Sequence, residues 1–408
     1  MNWLLFFFYV YPIKFVGIPL TTRLIFSIIG FGQLVLRRRL SKDFFSVLSG
    51  LVPIAIISVV SGVLNRTFDF HFLFYAISHI AIFCSGYFVL SLLPIRRNED
   101  SSSNVIRHIV ISICIQTVLT LFMNMWGELG EMVSGFIVRN ETEMVVSERA
   151  NRFIGFGTSF FGAGAVSGLG LILIVYLYLS NNRYNIFWSV FAYIAVLIVG
   201  IMLARTTLVG MLVSLMYLFC WHRKNIHLTK RKIKWILLFI GFLVLMLIIV
   251  FNYIDPQILI WAFELFFNWF EYGEITSDST EQLQGMYIWP DSLSTYLIGD
   301  GLYNLSDGYY MGTDVGYLRL LYYGGIPIIA AFFFYPIWII YKTMKLGISP
   351  TLSNLLLIIF FYVLLLNIKG LIDLNFVFIL IYMIIYYQKR LQMQHYNQAV
   401  STQFRAMN

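Results

Sequence analysis

Three arginines stand at the ends of long apolar runs, where a guanidinium group can bind an anion. The first, Arg152, precedes the Gly-rich, helix-forming run that includes Gly155. A helix N-terminus attracts anions through its free N–H groups and the positive end of its dipole, and arginine adds two parallel donors that suit phosphate. Arg152 is therefore predicted to clamp an anion. The alternative is an arginine that reaches toward the membrane surface.

The second arginine, Arg205, lies between two apolar runs with almost no loop, in the sequence Ala204-Arg205-Thr206-Thr207. A charge at this position must face a cavity, a partner or the membrane interface, because exposure to lipid is costly. A cavity-facing cation is one prediction. A tight turn whose arginine reaches the lipid headgroups is the other.

The third arginine, Arg319, follows Asp314 and Tyr317 at the start of another apolar run. Spacings of three and five residues place the three side chains near one helical face. We predict that Asp314 orients or deprotonates a hydroxyl group, provided that partial burial raises its proton affinity. Asp300 and Asp255 are alternatives for this role. The simpler interpretation is a local Asp314–Arg319 ion pair, or a helix cap by Asp314.

A turn with the sequence Gly299-Asp300-Gly301-Leu302-Tyr303 precedes this third site. Turns of this kind can bring backbone N–H groups close to a ligand. Aromatic side chains surround the turn in the sequence and could form a platform for sugar rings: Tyr287, Trp289, Tyr303, Tyr309 and Tyr310. Aromatic residues at a membrane interface are the alternative interpretation. We predict Gly155, Asp300, Tyr303 and Tyr317 as substrate-binding residues.

The elements that must position these residues are membrane helices. Hydrophobic residues make up 59% of the 408 residues and charged residues 12%, whereas soluble proteins have about 45–50% and about 25%. This composition excludes a soluble enzyme, a disordered chain and a disulfide scaffold, and the long unbroken apolar runs argue against an outer-membrane barrel. The fold predicted is all-α and polytopic. About twelve spans are expected, at 2–17, 20–36, 44–64, 71–94, 106–126, 155–180, 186–204, 206–221, 235–253, 316–341, 352–368 and 371–387.

The net charge of +8 is distributed over short loops between these runs. Loops on one side hold 19 of the 28 Lys and Arg residues but 3 of the 20 Asp and Glu residues. Their clusters include 37–39, 96–97, 230–234 and 389–390. The basic side is predicted to be cytoplasmic, together with both termini, and no nucleic-acid partner is expected. No nucleotide-binding loop or metal-binding motif is present, so neither a cofactor nor a metal is expected.

The whole chain, 1–408, is predicted to be a single integral membrane domain with two outside segments. They cover 127–154 and 254–315. The second is rich in aromatic residues, which argues against disorder. Its first part, Ile258 to Phe270, is predicted to form a helix on the membrane surface, with Trp261 and Trp269 as interface anchors and Glu264 on a solvated face.

Several short motifs together resemble the O-antigen polymerase (Wzy) family of the bacterial inner membrane. The first runs from Tyr11-Pro12 to Arg23, the second is Arg152-Phe-Ile-Gly155-Phe, and the third is Ala204-Arg205-Thr206-Thr207-Leu208. The fourth begins at Gly299-Asp-Gly-Leu-Tyr303, continues through Thr313-Asp314-Val-Gly-Tyr317-Leu-Arg319 and ends at Gly324-Gly325-Ile326-Pro327. Their order, spacing and sidedness, together with the number of spans, extend the resemblance over essentially the whole chain.

The resemblance implies a GT-C-like glycosyltransferase of lipopolysaccharide biosynthesis. Such enzymes join oligosaccharide repeat units that are carried on undecaprenyl diphosphate, at the periplasmic face of the inner membrane. Donor, acceptor, membrane lipids and a chain-length regulator are the implied partners. Arg152, Arg205 and Arg319 match the family's important outside arginines. Asp314 stands where the related ligases often have histidine, which favours a polymerase.

Three other functions compete with this one. An O-antigen ligase, which transfers finished polymer to the lipid A core, shares the fold and the donor. A flippase for the same lipid-linked sugar would place charges deep in several spans and show inverted repeats. A structural membrane scaffold would have no use for arginines at the outer helix ends.

Overall fold

The computed structural model is built almost entirely from helices. It describes residues 2–36, 42–93, 101–138, 152–158, 160–180, 185–220, 226–253, 256–274, 276–305 and 308–407. In chain order the helices are α1 (Asn2–Val10), α2 (Thr22–Leu36), α3 (Lys42–Phe45), α4 (Val52–Leu64), α5 (His71–Ser91), α6 (Ser101–Met125), α7 (Gly127–Phe136), α8 (Phe160–Ser180), α9 (Ile186–Leu203), α10 (Thr207–Cys220), α11 (Ile226–Tyr253), α12 (Pro256–Tyr272), α13 (Asp278–Gly285), α14 (Leu293–Leu297), α15 (Gly316–Lys345), α16 (Pro350–Leu366) and α17 (Asn375–Met407). One two-stranded hairpin, β1 (Asn304–Leu305) with β2 (Gly308–Tyr309), interrupts the helical pattern.

Five helices are long and apolar enough to cross a membrane by length and composition: α5, α6, α8, α9 and α15. Five shorter apolar helical segments accompany them: Thr22–Leu36, Leu48–Leu64, Thr207–Phe219, Ile233–Leu245 and Pro350–Leu366. The predicted all-α, membrane-embedded chain is confirmed at this level. The number of twelve crossings stays a prediction, as do the side of each loop and the kind of membrane.

Most helix boundaries lie close to the predicted ones, but α11 begins at Ile226 rather than 235, and the predicted span 44–64 is divided between α3, a short 3-10 helix and α4. The two ends of the chain also differ from the prediction. The first predicted span, 2–17, is only a nine-residue helix, after which Lys14 and Thr21 form an isolated β-bridge. Proline has no N–H donor, and Pro12 and Pro19 flank this irregular segment. The last predicted span begins later than expected, at Asn375, and its helix continues to Met407.

Helix α8 forms the centre of the bundle and contacts α6, α9, α10 and α16. It meets α10 at Gly168 and Gly210, where a Cβ atom on either residue would clash with the other. Glycine pairs of this kind let membrane helices approach closely. Because the two helices begin at the same end of the bundle, the segments that precede them, with Arg152 and Arg205, meet there.

Helix α15 is interrupted at Gly324 and Gly325, and Gly325 has a φ of +68°. The interruption frees carbonyl groups, which the turn at 299–301 satisfies: the Asp300 N–H donates to the Tyr322 carbonyl at 2.6 Å and the Gly301 N–H to the Tyr323 carbonyl at 3.1 Å. These two N–H groups therefore satisfy the carbonyls at the interruption of α15. The expectation that they face a ligand is not met.

The predicted outside segment 254–315 is folded. It holds α12, α13, α14 and the β-hairpin, and the predicted surface helix is α12, with non-helical backbone angles at Phe263. The other predicted segment, 127–154, begins with α7. Its residues 139–151 lie outside the described residues, as do the basic clusters at 37–39 and 96–97 and the alternative base Asp255.

Candidate functional site

A cavity of about 580 Å³ opens at the end of the bundle where α8, α10 and α15 begin and α16 ends. All three predicted arginines line it, together with Asp314. They come from three separate segments: the strand-like stretch before α8, the tight turn between α9 and α10, and the first turn of α15. The further lining residues are Phe160, Phe161, Ala204, Thr206, Trp261, Gln282, Leu283, Met286, Tyr309, Lys369, Gly370 and Leu371.

Arg152 and Arg205 both lie against the indole ring of Trp261. Their guanidinium carbons are 4.4 Å and 4.7 Å from the centre of that ring. Such cation–π contacts fix the plane of a guanidinium group without using its N–H donors. Among the described residues the buried Nε of Arg152 has no hydrogen-bond partner. Burial, and then the charge of Arg205, lowers the pKa of Arg152. The two arginines thus sit in a wall of the cavity rather than at the lipid surface.

Glu264 of α12 forms an ion pair with Arg205, and the Arg205 Nε donates to the Trp261 carbonyl at 2.9 Å. The prediction of a solvated Glu264 is therefore wrong, because its side chain is only 15% exposed. Trp261 is not the interface anchor that was expected either, whereas Trp269 is exposed. The sequence could not show this, because the pairing depends on where α12 folds back onto the turn at Arg205.

Arg319 lies between two tyrosine rings, with its guanidinium carbon 3.5 Å from the ring centre of Tyr309 and 4.2 Å from that of Tyr303. The residue is 9% exposed, and its Nε has no hydrogen-bond partner among the described residues. Neither simple interpretation holds. No Asp314–Arg319 ion pair forms between these two described residues, and Thr313 rather than Asp314 accepts from the Val315 N–H before α15.

Tyr303 is held in place by two residues that the sequence analysis did not single out. Its backbone N–H donates to the Asp69 carboxylate at 2.9 Å, and the His71 ring stacks on its phenol ring at 3.5 Å. Burial raises the pKa of Tyr303 to about 12, although the charge of Arg319 opposes this shift. The phenol therefore stays neutral and serves as a face for Arg319. It does not itself line the cavity.

The other predicted substrate-binding residues stand apart from the cavity wall. The carboxylate of Asp300 accepts from Thr295 at 2.7 Å and from Tyr310 at 3.2 Å. The Tyr317 hydroxyl donates to the Leu364 carbonyl at 2.9 Å. A Cβ atom on Gly155 would lie 2.6 Å from the side chain of Gln116. These three residues hold neighbouring segments together, and their direct contact with a ligand stays a prediction.

Lys369 is the fourth cation of the cavity. It lies in the short loop between α16 and α17, between the predicted spans 352–368 and 371–387, and was not predicted as a site residue. A signal was available, because few basic residues fall on the acidic side of the predicted topology and Lys369 is one of them.

The charges at this site do not balance. Among the described residues, four basic side chains meet two carboxylates, Asp314 in the cavity wall and Glu264 paired with Arg205, so the arginines leave one excess positive charge and a protonated Lys369 adds a second. Like charges held together in a partly buried space are unfavourable unless an anion joins them. The arrangement therefore fits an anionic ligand. Within the described residues, no group of three or more His, Cys, Asp and Glu side chains is placed to hold a metal ion.

The Arg205–Glu264 pair gives a direct test of this geometry. We expect Glu264→Ala to lower the free energy of unfolding by about 2–3 kcal/mol, because it leaves a buried guanidinium without its charged partner. Thermal unfolding in detergent measures the effect. Glu271→Ala is the matched control, since Glu271 is an exposed carboxylate on the same helix. Equal unfolding midpoints for the two variants would contradict the pairing.

No protein-family model matches the chain, and neither a curated protein nor a solved structure shows significant similarity to it.

Proposed function

We propose that this protein is a polymerase of surface polysaccharide, a glycosyltransferase that joins oligosaccharide repeat units carried on undecaprenyl diphosphate. One observation carries the proposal: Arg152, Arg205 and Arg319, far apart in the sequence, converge on one cavity that carries an excess of positive charge. A diphosphate that links a lipid to a sugar carries about two negative charges. The ordered motifs that resemble the O-antigen polymerase family support the same substrate.

The proposed reaction needs no nucleotide, because the donor is already activated by its lipid diphosphate. A hydroxyl group of the acceptor chain attacks the anomeric carbon of the donor, and the diphosphate leaves. Negative charge grows on the departing oxygen, where preset guanidinium groups stabilise it more in the transition state than in the ground state. A single displacement of this kind inverts the anomeric carbon.

Because the guanidinium groups are rigidly placed, they are suited to stabilise a transition state and not only to attract an anionic ligand. Trp261 supports two of them and the Tyr303–Tyr309 pair supports the third, so little reorganisation is needed when charge develops. Tyr309 and Trp289 are also exposed, with 44% and 60% of their surface accessible. Of the two, Tyr309 lines the cavity, and an exposed aromatic face there suits a sugar ring, as the predicted platform requires.

The proposal places the cavity at the periplasmic face of the inner membrane and both termini in the cytoplasm. Helix α15 supports the sidedness. It starts near Arg319, and after the interruption at Gly324 and Gly325 it runs on to Lys342 and Lys345, over about 30 Å at 1.5 Å per residue. The cavity and these basic residues thus lie at opposite ends of a membrane-length helix, and basic ends face the cytoplasm.

The test uses the purified full-length protein in lipid vesicles with undecaprenyl diphosphate-linked repeat units, a chelator and no nucleotide. We expect a ladder of polymer on a gel. Arg152→Ala and Arg205→Ala should each slow ladder formation by about 10²–10³-fold. Lys14→Ala is the control, since Lys14 is an exposed cation outside the cavity.

Absence of a ladder from folded wild-type protein would contradict the proposal. Transfer of glycan to added lipid A core in its place would identify a ligase. Movement of the lipid-linked sugar across the vesicle membrane, without any new glycosidic bond, would identify a flippase.

A further inference from the structure

Lys369 occupies a position in the cavity that is fixed from several sides. Asn367, which is fully buried, donates from its side-chain amide to the carbonyls of Val363 and Ile372 at 2.8 Å and 2.9 Å. Its amide oxygen accepts from the Ile372 N–H at 3.3 Å. One side chain thus ties both ends of the loop together, and the residues between those ends, Lys369 and Gly370, form part of the cavity wall.

Neighbouring elements hold the same loop from outside. The Tyr287 hydroxyl donates to the Ile368 carbonyl at 2.7 Å. A Cβ atom on Gly370 would lie 2.9 Å from the ring of Phe161 on α8. Further along, Asp373 pairs with His79 of α5 at 3.3 Å. A loop held at this many points keeps its lysine in place, which is what acid–base chemistry requires of a side chain.

The charged groups that face Lys369 come from four other elements. Arg152 and Arg205 approach from the segments before α8 and α10, and Arg205 in turn is paired with Glu264 of α12. Asp314 and Arg319 line the cavity from the start of α15. Burial first, and then the charges of Arg152 and Arg205, lowers the pKa of Lys369, and Asp314 opposes the shift. A lysine in such surroundings more readily exists as a neutral amine, which can accept a proton.

Asp314 is less suited to the same task than the sequence suggested. A proton-accepting role for this carboxylate depended on partial burial, but its side chain is exposed at the mouth of the cavity. Lys369 is the more enclosed of the two groups. The geometry leaves Asp314 free to orient the acceptor sugar by hydrogen bonds.

We propose that Lys369 is the general base of glycosyl transfer in this cavity, and this proposal rests on the polymerase function proposed above. The neutral Nζ takes the proton of the acceptor hydroxyl as its oxygen forms the new bond to the anomeric carbon. The bond from that carbon to the diphosphate oxygen breaks, and its electron pair stays on the diphosphate. The products are a lengthened glycan, a lipid diphosphate and a protonated Lys369, which later returns its proton to water.

The step is also balanced in charge. The ammonium group forms at the moment when the leaving diphosphate gains a negative charge, so the cavity compensates the new charge without moving a residue. Donor binding offsets part of the positive charge that acts on Lys369, but the larger cause of its lowered pKa, burial, remains.

The experiment compares Lys369→Arg and Lys369→Ala with wild type in single-turnover ladder assays. Arginine keeps the positive charge and the capacity to bind phosphate but accepts no proton at ordinary pH. We expect both variants to lose about 10²–10³-fold in rate, with Lys369→Arg retaining its affinity for undecaprenyl diphosphate, measured by binding of the lipid alone. Small primary amines added to Lys369→Ala should restore part of the rate.

The wild-type pH profile gives a readout that does not depend on any variant. The rate should rise with pH as Lys369 loses its proton and then level off, and Lys369→Arg should lack this rise. A wild-type ladder together with full activity of Lys369→Arg would overturn the base and leave the polymerase intact. So would a wild-type rate that is flat across about pH 6–10. Absence of a wild-type ladder would instead overturn the polymerase function itself.

Discussion

Arg319→Ala is expected to slow the formation of the polysaccharide ladder by about 10²–10³-fold while leaving the protein folded. The side chain is buried, its plane is set by Tyr303 and Tyr309, and its Nε donor is unused among the described residues. A donor that is held ready in this way acts on charge as it develops in the transition state. The initial rate of ladder formation, measured at saturating donor, gives the effect.

Arg319→Lys separates geometry from charge. Lysine keeps the positive charge but lacks the flat guanidinium group that packs between two rings, so we expect most of the loss to persist. Lys14→Ala, which removes an exposed cation outside the cavity, should keep the wild-type rate. An Arg319→Ala variant with more than half of the wild-type rate would mean that the third arginine has no part in the proposed transfer.

Gly299→Ala is expected to cause the largest loss of stability among single substitutions at the turns of segment 254–315. Gly299 has a φ of +77°, and a Cβ atom there would overlap backbone atoms of Tyr323 and Gly324, where α15 is interrupted. A left-handed backbone costs a non-glycine residue about 1–2 kcal/mol. Displacement of two packed backbones adds about 1–3 kcal/mol. The midpoint of thermal unfolding in detergent should fall accordingly.

Gly273→Ala is the matched control for this prediction. Gly273 has nearly the same φ, +74°, but no atom lies within 4 Å of the position that a Cβ would take. The control therefore carries the backbone strain alone, about 1–2 kcal/mol. If both alanine variants unfold at the same temperature, the turn at 299–301 does not support the interruption of α15.

The positions of the helices could be read from hydropathy because a membrane helix is a local pattern. The start of α8, the turn between α9 and α10 and the start of α15 all fell close to the predicted boundaries. The three arginines were found for the same reason, since a charge at the end of an apolar run is visible in the sequence. That they share one cavity is a property of the packing of α8, α10 and α15.

What the sequence did not show depends on pairs of residues that lie far apart in the chain. Glu264 was expected in solvent, but Arg205, 59 residues away, pairs with it. Lys369 stood out only by the side of the predicted topology on which it falls, because a lysine in a short loop has no local feature that distinguishes a cavity from solvent. The Gly-Asp-Gly turn had the composition of a ligand-binding loop. Its N–H groups instead donate to carbonyls at the interruption of α15, a helix whose first residue lies 15 residues after the turn.

The wall of the cavity is contributed by segments spread from Arg152 to Lys369, over more than half of the chain. This spacing sets an order during biosynthesis. Arg152 and Arg205 are synthesised first, and the loop with Lys369 follows only when α16 has been made. A polypeptide still attached to the ribosome therefore cannot present the complete set of four cations. The cavity wall is therefore complete only after α16 and the loop that follows it have been made.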